Sequence, residues 1–254
     1  MSNYGVLEVV GLDPVSSDGV VLYTHAPWLK ESKPGQFAML KVGDKFLARP
    51  MSIMEVKPDD VVLWQIRDIG YGTNWLCNLN LGDKFHGWGP LGRGFDVVDF
   101  KEHKKIALVG GGVGMSPLNF LYKEFFKGKG VCVLEGNRTA DSPFLSNHLN
   151  MDSKDEYMIS TDDGSIGFCG NVVDVLENLS KKGIKFDHVY TCGPDLMLEA
   201  VEKFCENKNV DCQVCLEARM ACGFGGCRGC WDERHELMVC CDGPVLKIEN
   251  GECL

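Results

Sequence analysis

Cys222, Cys227 and Cys230 stand in the C-x4-C-x2-C spacing that holds a plant-type [2Fe-2S] cluster, and Cys240 follows as a fourth thiol. Thiolates in that pattern carry single electrons. Between the first two lies Gly223-Phe224-Gly225-Gly226, with too little side chain to keep its backbone N–H groups from turning toward sulfur. Cys240 and Cys241 are adjacent, and only one of them can point at an iron without strain. Cys240 is the expected ligand, because His235 to Val239 reads as a short strand that delivers it. A structural zinc site is the competing reading, since Cys212-x2-Cys215 and Cys227-x2-Cys230 make two CxxC pairs suited to a tetrahedral thiolate site. Against zinc stand the glycine-rich x4 gap and the redox machinery upstream. Cys212 and Cys215 then become buried or spare thiols, on a strand expected from Asp211 to Leu216.

A carrier of single electrons needs a donor, and the preceding residues hold the elements for one. Lys105-Ile-Ala-Leu-Val-Gly110 is a short apolar run that ends in glycines. Gly111-Gly112-Val113-Gly114 follows, then an apolar-periodic stretch through Phe126. This reads strand, glycine turn, helix, the element whose bare backbone lets a pyrophosphate approach. A tight packing turn is the alternative. Strand and helix signals then alternate: Gly130 to Glu135, a helix near Phe144 to Leu149, Tyr157 to Ser160, a helix Asn171 to Lys182, His188 to Cys192, and a helix Asp195 to Asn207. Such alternation predicts a parallel sheet. The loops Gly136-Asn-Arg138, Thr161-Asp-Asp-Gly164 and Cys192-Gly-Pro194 then fall at its carboxyl edge, where open α/β sheets bind ligands. Gly111, Gly112, Gly114, Asp162, Gly193 and Pro194 are the expected nucleotide contacts.

The first hundred residues differ in texture, with short alternating runs (Gly5 to Val10, Val20 to His25, Phe37 to Leu40, Val61 to Arg67) divided by Gly, Pro and Asp turns. A small antiparallel barrel is expected. Within it, Arg49-Pro50-Met51-Ser52 joins a guanidinium that can fork onto phosphate to a proline that fixes the backbone and a hydroxyl that can donate. Gly70-Tyr71-Gly72-Thr73 feeds a helix-like stretch from Asn74 to Asn80 and makes a second phosphate-suited spot. Two such spots suggest a dinucleotide. The alternative is an ordinary barrel in which Arg49 makes a surface ion pair.

Composition agrees with two modest cores, since 254 residues with 44% hydrophobic content exceed what one marginal core requires. The divisions expected are 1–98, 99–210 and 211–254. Thirteen cysteines would suggest disulfides in a secreted protein, yet the start MSNYGVLEVVGLDP has neither a basic n-region nor an apolar h-region, and no apolar run is long enough to span a bilayer. A cytoplasmic protein with reduced thiols is expected. A net charge of -10 works against nucleic acid or an anionic membrane as partner.

The order of motifs adds a family. Pro34-Gly-Gln-Phe37, Arg49-Pro-Met-Ser52, Gly70-Tyr-Gly-Thr73, Gly87-Trp-Gly-Pro-Leu-Gly92, Gly110 to Pro117, Cys192-Gly-Pro-Asp-Leu-Met197, Leu216-Glu-Ala-Arg-Met-Ala-Cys222 and Val239-Cys-Cys-Asp-Gly-Pro244 closely resemble the electron-transfer subunits of type B dihydroorotate dehydrogenase, a branch of the ferredoxin-NADP reductase-like flavoproteins. The likeness implies an FAD barrel, an NAD domain and a C-terminal [2Fe-2S] segment. It also implies passage of electrons from NADH to the flavin of a separate catalytic subunit in pyrimidine biosynthesis, in a hetero-oligomer. By the same likeness FAD sits on Arg49, Pro50, Met51, Ser52, Gln65, Ile66, Arg67, Gly72 and Thr73. Cys222, Cys227, Cys230 and Cys240 become the cluster ligands, and Cys192 lies beside the nicotinamide, with a packed strand-end thiol as the alternative. Relatives often carry an aromatic residue in place of Ile66 and a serine in place of Cys215. The rival within the fold is a reductase subunit that serves ferredoxin, a hydrogenase or a sulfur-reducing complex; outside it, the rival is a binding module with structural zinc.

Overall fold

The computed structural model describes residues 3–100, 105–142, 145–249 and 252–253. Its N-terminal part is one antiparallel sheet of seven strands: β1 (Asn3–Ser16), β2 (Gly19–His25), β3 (Phe37–Leu40), β4 (Arg49–Ser52), β5 (Glu55–Val56), β6 (Val61–Arg67) and β7 (Lys84–Leu91). They run in the order β4-β3-β7-β1-β2-β6-β5, and the sheet curls until β4 lies beside β6. Alternation is the cause: in β2 and β6 one face supplies Leu22, Val62, Trp64 and Ile66 to the interior. Trp64 is wholly buried, and its indole N–H donates to Thr24 Oγ1 at 2.8 Å, so the core's one wide polar edge is satisfied. Strand β7 has no alternating signal, because Gly87 and Gly89 replace side chains where β3 presses in; a Cβ on Gly87 would stand 2.9 Å from the Met39 carbonyl oxygen.

The second sheet has eight strands. Five parallel ones are β8 (Ile106–Gly111), β9 (Cys132–Asn137), β10 (Glu156–Thr161), β11 (Phe168–Cys169) and β12 (His188–Cys192). They continue through β13 (Asp211–Cys215), parallel to β12, and turn antiparallel at β16 (Val245–Glu249) and β17 (Glu252–Cys253); the small hairpin β14 (Trp231–Asp232) and β15 (Leu237–Met238) lies between. Helices α1 (Tyr71–Cys77), α2 (Met115–Leu121), α3 (Ser146–Leu149), α4 (Val172–Lys181) and α5 (Asp195–Lys208) complete the fold. Asn171 caps α4 in a reciprocal capping box with Asp174, and Asn209 closes α5 in the left-handed conformation.

The expected barrel, parallel sheet and small C-terminal segment are therefore present, with differences of detail. The helix expected from Asn74 to Asn80 begins earlier, at Tyr71, and stops at Cys77, where the Asn78 side chain turns back onto the Asn74 carbonyl. Phe144, the expected start of one helix, lies outside the described residues. The stretch through Phe126 is α-helical only to Leu121 and π-helical from Tyr122 to Phe126. The strand expected over His235 to Val239 is only Leu237–Met238, because Val239 already turns to donate its N–H to the Cys230 carbonyl. A division at residue 210 parts α5 from the strand it feeds, although β13 and β16 both belong to the second sheet. One core explains that continuity. Phe37, Met39 and Leu91 of the barrel, Cys230, Val239 and Cys240 of the C-terminal segment, and Val109, Leu134 and Val214 of the sheet form a single apolar cluster.

Candidate functional site

Four strand ends converge at the carboxyl edge of the parallel sheet. Register pairs Gly110 with Cys192 and with Glu135, and Gly111 with Gly136, so the loops after β8, β9, β10 and β12 leave one edge together. Gly111 and Gly114 pack rather than gape. A Cβ on Gly111 would meet Met197 Sδ at 2.6 Å, and one on Gly114 would meet the Cys192 carbonyl oxygen at 2.3 Å. Gly112 alone faces open space; it has φ +55, and the nearest side-chain atom to its Cβ position is Asn137 Oδ1 at 3.8 Å. Gly193 and Pro194 complete the wall behind Gly111, and Asp162 is exposed, its backbone N–H donating to the Asn137 carbonyl. The Cys192 side chain is buried against Cys215, its in-register neighbour, and the shared hydrogen bond together with burial pushes the thiol up. The packed strand-end arrangement is thus the one found, with the carbonyl of Cys192, not its sulfur, against the glycine turn.

In the barrel, the two phosphate-suited motifs meet. The Cβ position of Gly72 lies 2.5 Å from Arg49 Nε, so only glycine leaves room for the guanidinium. Arg49 Nη1 donates to the Leu47 carbonyl at 2.9 Å, which fixes the fork, and among the described residues no carboxylate pairs with it. The surface-ion-pair alternative does not hold. Pro50 lies on the edge strand β4, where its missing N–H costs no ladder bond. Thr73 Oγ1 accepts from the Ile69 N–H and donates to the Gly70 carbonyl, which shapes the turn. Gln65, Ile66 and Arg67 pair with β2 but extend past β5, whose partners are Leu63 and Val62, so their other backbone edge faces β4. Ile66 points its side chain into the core, and Arg67 is held by Asp18 at 2.6 Å.

Hydrogen bonds lock the two units. Asn119 Nδ2 donates to the Met54 carbonyl at 2.9 Å, Ser116 Oγ reaches the Ser52 carbonyl at 3.5 Å, and Lys123 pairs with Glu55 at 2.6 Å. Helix α2 therefore carries the glycine turn to the β4 edge that holds Arg49 to Ser52.

The C-terminal thiols divide into two pairs. Cys222 Sγ accepts from the Cys227 N–H at 3.4 Å, and Cys230 lies beside Cys240, whose sulfur accepts from the Gly225 N–H at 3.2 Å. Burial resists ionisation of Cys222, but the N–H groups of Phe224, Cys227 and Gly226, together with the Cys227 thiol, outweigh it and draw the Cys222 thiol down to about 7. Cys240 goes the other way, pushed up by burial and by its Cys230 and Cys241 neighbours. No three His, Cys, Asp or Glu side chains among the described residues converge on one point as a mononuclear site requires. Two thiol pairs are what a binuclear cluster takes, one pair for each iron. Cys212 and Cys215 do not join them: Cys212 shares a hydrogen bond with Cys205 and Cys215 with Cys192, each pair buried in a core. The two-CxxC zinc arrangement is not formed.

What sequence reading missed is the seat of this loop. Gly223 has φ +80, and a Cβ there would strike Met39 Cγ at 2.7 Å and Leu91 Cδ1 at 2.9 Å; the Trp88 indole N–H donates to the Cys222 carbonyl at 3.0 Å. The loop thus lies directly on β3 and β7. The glycines around Trp88 gave no signal of it, since the atoms nearest their missing Cβ positions belong to β1 and β3. On its outer side, Arg234 and His235 fasten the β14–β15 hairpin to Glu202 of α5, and the Glu202 hydrogen bond holds the imidazole above its usual range.

Comparison with known proteins agrees with this geometry. The family model for the iron-sulfur cluster binding domain of dihydroorotate dehydrogenase B matches residues 217–250. An electron transfer subunit of dihydroorotate dehydrogenase B (NAD(+)) from Fusobacterium nucleatum subsp. nucleatum is 35% identical over 94% of this chain and 94% of its own, and one from Listeria monocytogenes serotype 4b is 37% identical over 87% of each. Among solved structures, that of an NADH-dependent reduced ferredoxin-NADP oxidoreductase superposes with a TM-score of 0.82 at 27% identity, covering 98% of this chain and 90% of the other. A ferredoxin NADP+ reductase from Neisseria gonorrhoeae shares the fold at a TM-score of 0.69 and 14% identity, over 81% of this chain and 91% of that one. By its similarity to these relatives over nearly their whole length, the chain belongs to the family of dihydroorotate dehydrogenase B electron transfer subunits.

Proposed function

We propose that this protein passes electrons from NADH, through FAD and a [2Fe-2S] cluster, to the flavin of a dihydroorotate dehydrogenase catalytic subunit in pyrimidine biosynthesis, as part of a hetero-oligomer. One observation carries it: the cysteine loop rests on β3, and β3 pairs with β4, the strand of Arg49, Pro50, Met51 and Ser52. Neighbouring strands are about 4.8 Å apart, so the two motifs lie within a side chain's reach of one another.

In this reading the Arg49 fork and the Ser52 hydroxyl hold the FAD diphosphate, while Gly72 and Thr73 shape the turn beside it. The backbone of Gln65, Ile66 and Arg67 faces the ring system, and Pro50 and Met51 hold the strand in register. The turn at Gly111, Gly112 and Gly114, with Asp162, Gly193 and Pro194, receives NADH, and Cys192 acts as a positioning residue behind it. Cys222 and Cys227 hold one iron, Cys230 and Cys240 the other. FAD, once bound, accepts hydride as an electron pair and the cluster carries electrons singly, so the protein's part is to hold, orient and shield. None of the histidines is asked to act as a base. Half-exposed Phe224 and Trp231 flank the cysteine loop on the side where a partner would dock.

A visible spectrum of anaerobically isolated protein tests this. Flavin bands with a broad iron-sulfur shoulder should bleach on NADH addition, with about two irons and two acid-labile sulfides per chain; Cys222→Ala should keep the flavin and lose both. Zinc without sulfide, or a spectrum NADH does not bleach, would sink the proposal. Arg138→Ala should leave NADH use within roughly twofold. The structural likeness to the ferredoxin-NADP oxidoreductase favours a second reading, in which ferredoxin is the acceptor. Co-purification with a dihydroorotate-oxidising subunit separates the two. No described helix is long and apolar enough to cross a membrane.

A further inference from the structure

Five thiols, not four, surround the glycine loop. Cys241 is half-buried beside buried Cys240, and their sulfurs are 3.5 Å apart. Both flank one residue. Gly225 donates its N–H to Cys240 Sγ, and a Cβ on Gly225 would lie 2.6 Å from Cys241 Sγ. The turn that presents them is pinned, with Met238 N–H bound to the Asp242 carboxylate at 2.9 Å and the Cys241 and Asp242 N–H groups both bound to the Met238 carbonyl. With the turn so pinned, an exchange of one sulfur for the other is a matter of side-chain rotation.

Coordination arithmetic gives this consequence. In a binuclear cluster each tetrahedral iron is filled by two bridging sulfides and two thiolates, so the iron beside Cys230 has one remaining place, and Cys240, which lies against Cys230, has Cys241 at its side. Cys241 Sγ lies 3.5 Å from the Cys240 sulfur whose place it would take. We infer that Cys241 is a reserve ligand that takes the second place on the Cys230 iron when Cys240 leaves it. The exchange breaks one iron–sulfur bond and makes another; Cys241 gives up its thiol proton, Cys240 takes one up, and no electron is gained or lost. The inference rests on the cluster reading above.

The test compares Cys240→Ala, Cys241→Ala and the double variant as full-length protein isolated anaerobically, reading iron and acid-labile sulfide per flavin and the electron paramagnetic resonance of the reduced state. Cys241→Ala should match the parent. Cys240→Ala should keep at least half of the iron and sulfide with a shifted resonance, and the double variant should lose roughly tenfold. A Cys240→Ala protein as empty as the double variant overturns the inference, as does a double variant that keeps its cluster. If Cys240→Ala loses flavin too, and so has failed to fold, Cys240→Ser decides, because its hydroxyl still accepts from Gly225. An all-thiolate spectrum there supports recruitment of Cys241, and a blue-shifted, oxygen-ligated one overturns it. Parent protein without iron or sulfide defeats the cluster reading itself, a separate result.

Discussion

The two glycine-rich turns of this protein look alike as text and differ in what they do with an acid beside them. At the cysteine loop, N–H groups freed by glycine converge on Cys222 and pull its thiol down to about 7 against the resistance of burial. Behind the turn at Gly111, burial dominates. Glu135, in register with Gly110, is enclosed and pushed up to about 7, although Tyr157 OH and the Leu145 N–H both donate to it. One loop is built to stabilise negative charge and the other edge to be packed tight. Glycine composition alone does not tell them apart; what fills the missing Cβ does.

Substitutions at those Cβ positions can break the contrast, and Gly114→Ala should have the largest effect. Its methyl would lie 2.3 Å from the Cys192 oxygen and 2.5 Å from the carbonyl carbon, backbone atoms that cannot swing aside. A loss of about 3 kcal/mol or more is expected, read by denaturant melts of flavin-loaded protein. Gly111→Ala should cost less, because the flexible Met197 side chain is its first obstacle. Equal losses would mean that the two positions pack alike.

Glu135→Gln sharpens the electrostatic half. The carboxyl titrates near 7 in the folded chain and near 4.5 when exposed, so between those values the native state binds the extra proton and stability falls as pH rises. The two and a half pKa units correspond to about 3 kcal/mol lost by pH 8. Glutamine cannot ionise. The variant should therefore melt at nearly the parental temperature at pH 5 and well above it at pH 8; a constant gap across that range refutes the buried acid.

Much of this was legible in the chain. Short apolar runs bounded by turn residues located β2, β3, β6 and β12, periodicity located α5 because it buries one stripe, and the cysteine spacing located the loop because thiolate geometry fixes it. Strand β7 was not legible, since its glycines make room for β3 and so erase the alternation that would announce a strand. The orientation of Cys192 was equally hidden. Which face its thiol takes depends on Cys215, a partner distant in sequence and adjacent only by register. Likewise the seat of the loop on Met39 and Trp88 joins residues more than a hundred positions apart, which no local pattern records.

Within the cysteine loop, Gly225→Ala should cost about 1–2 kcal/mol, because φ is +87 and a left-handed backbone resists a Cβ. Its distinctive consequence is chemical. The methyl displaces Cys241 and turns the N–H that serves Cys240, so iron per flavin should fall several-fold while flavin content holds. Gly226→Ala, whose methyl meets the exposed Phe224 ring at 3.2 Å and comes no nearer than 4.0 Å to Cys222 Sγ, is the control that should keep its cluster.

The smallest effect on stability belongs to Gly112→Ala, where the contrast between packing and openness is finest. The added methyl meets nothing closer than 3.8 Å, so the cost is the left-handed backbone alone, about 1 kcal/mol. Packing of the turn is untouched, yet the methyl stands in the space at the sheet's carboxyl edge into which a pyrophosphate would come. If that space is the nucleotide's, KM for NADH should rise by roughly an order of magnitude with kcat little changed, since uniform binding is lost and hydride transfer is not. A KM that stays put would assign Gly112 to backbone conformation only, and would leave all three glycines of the turn serving the fold rather than the substrate.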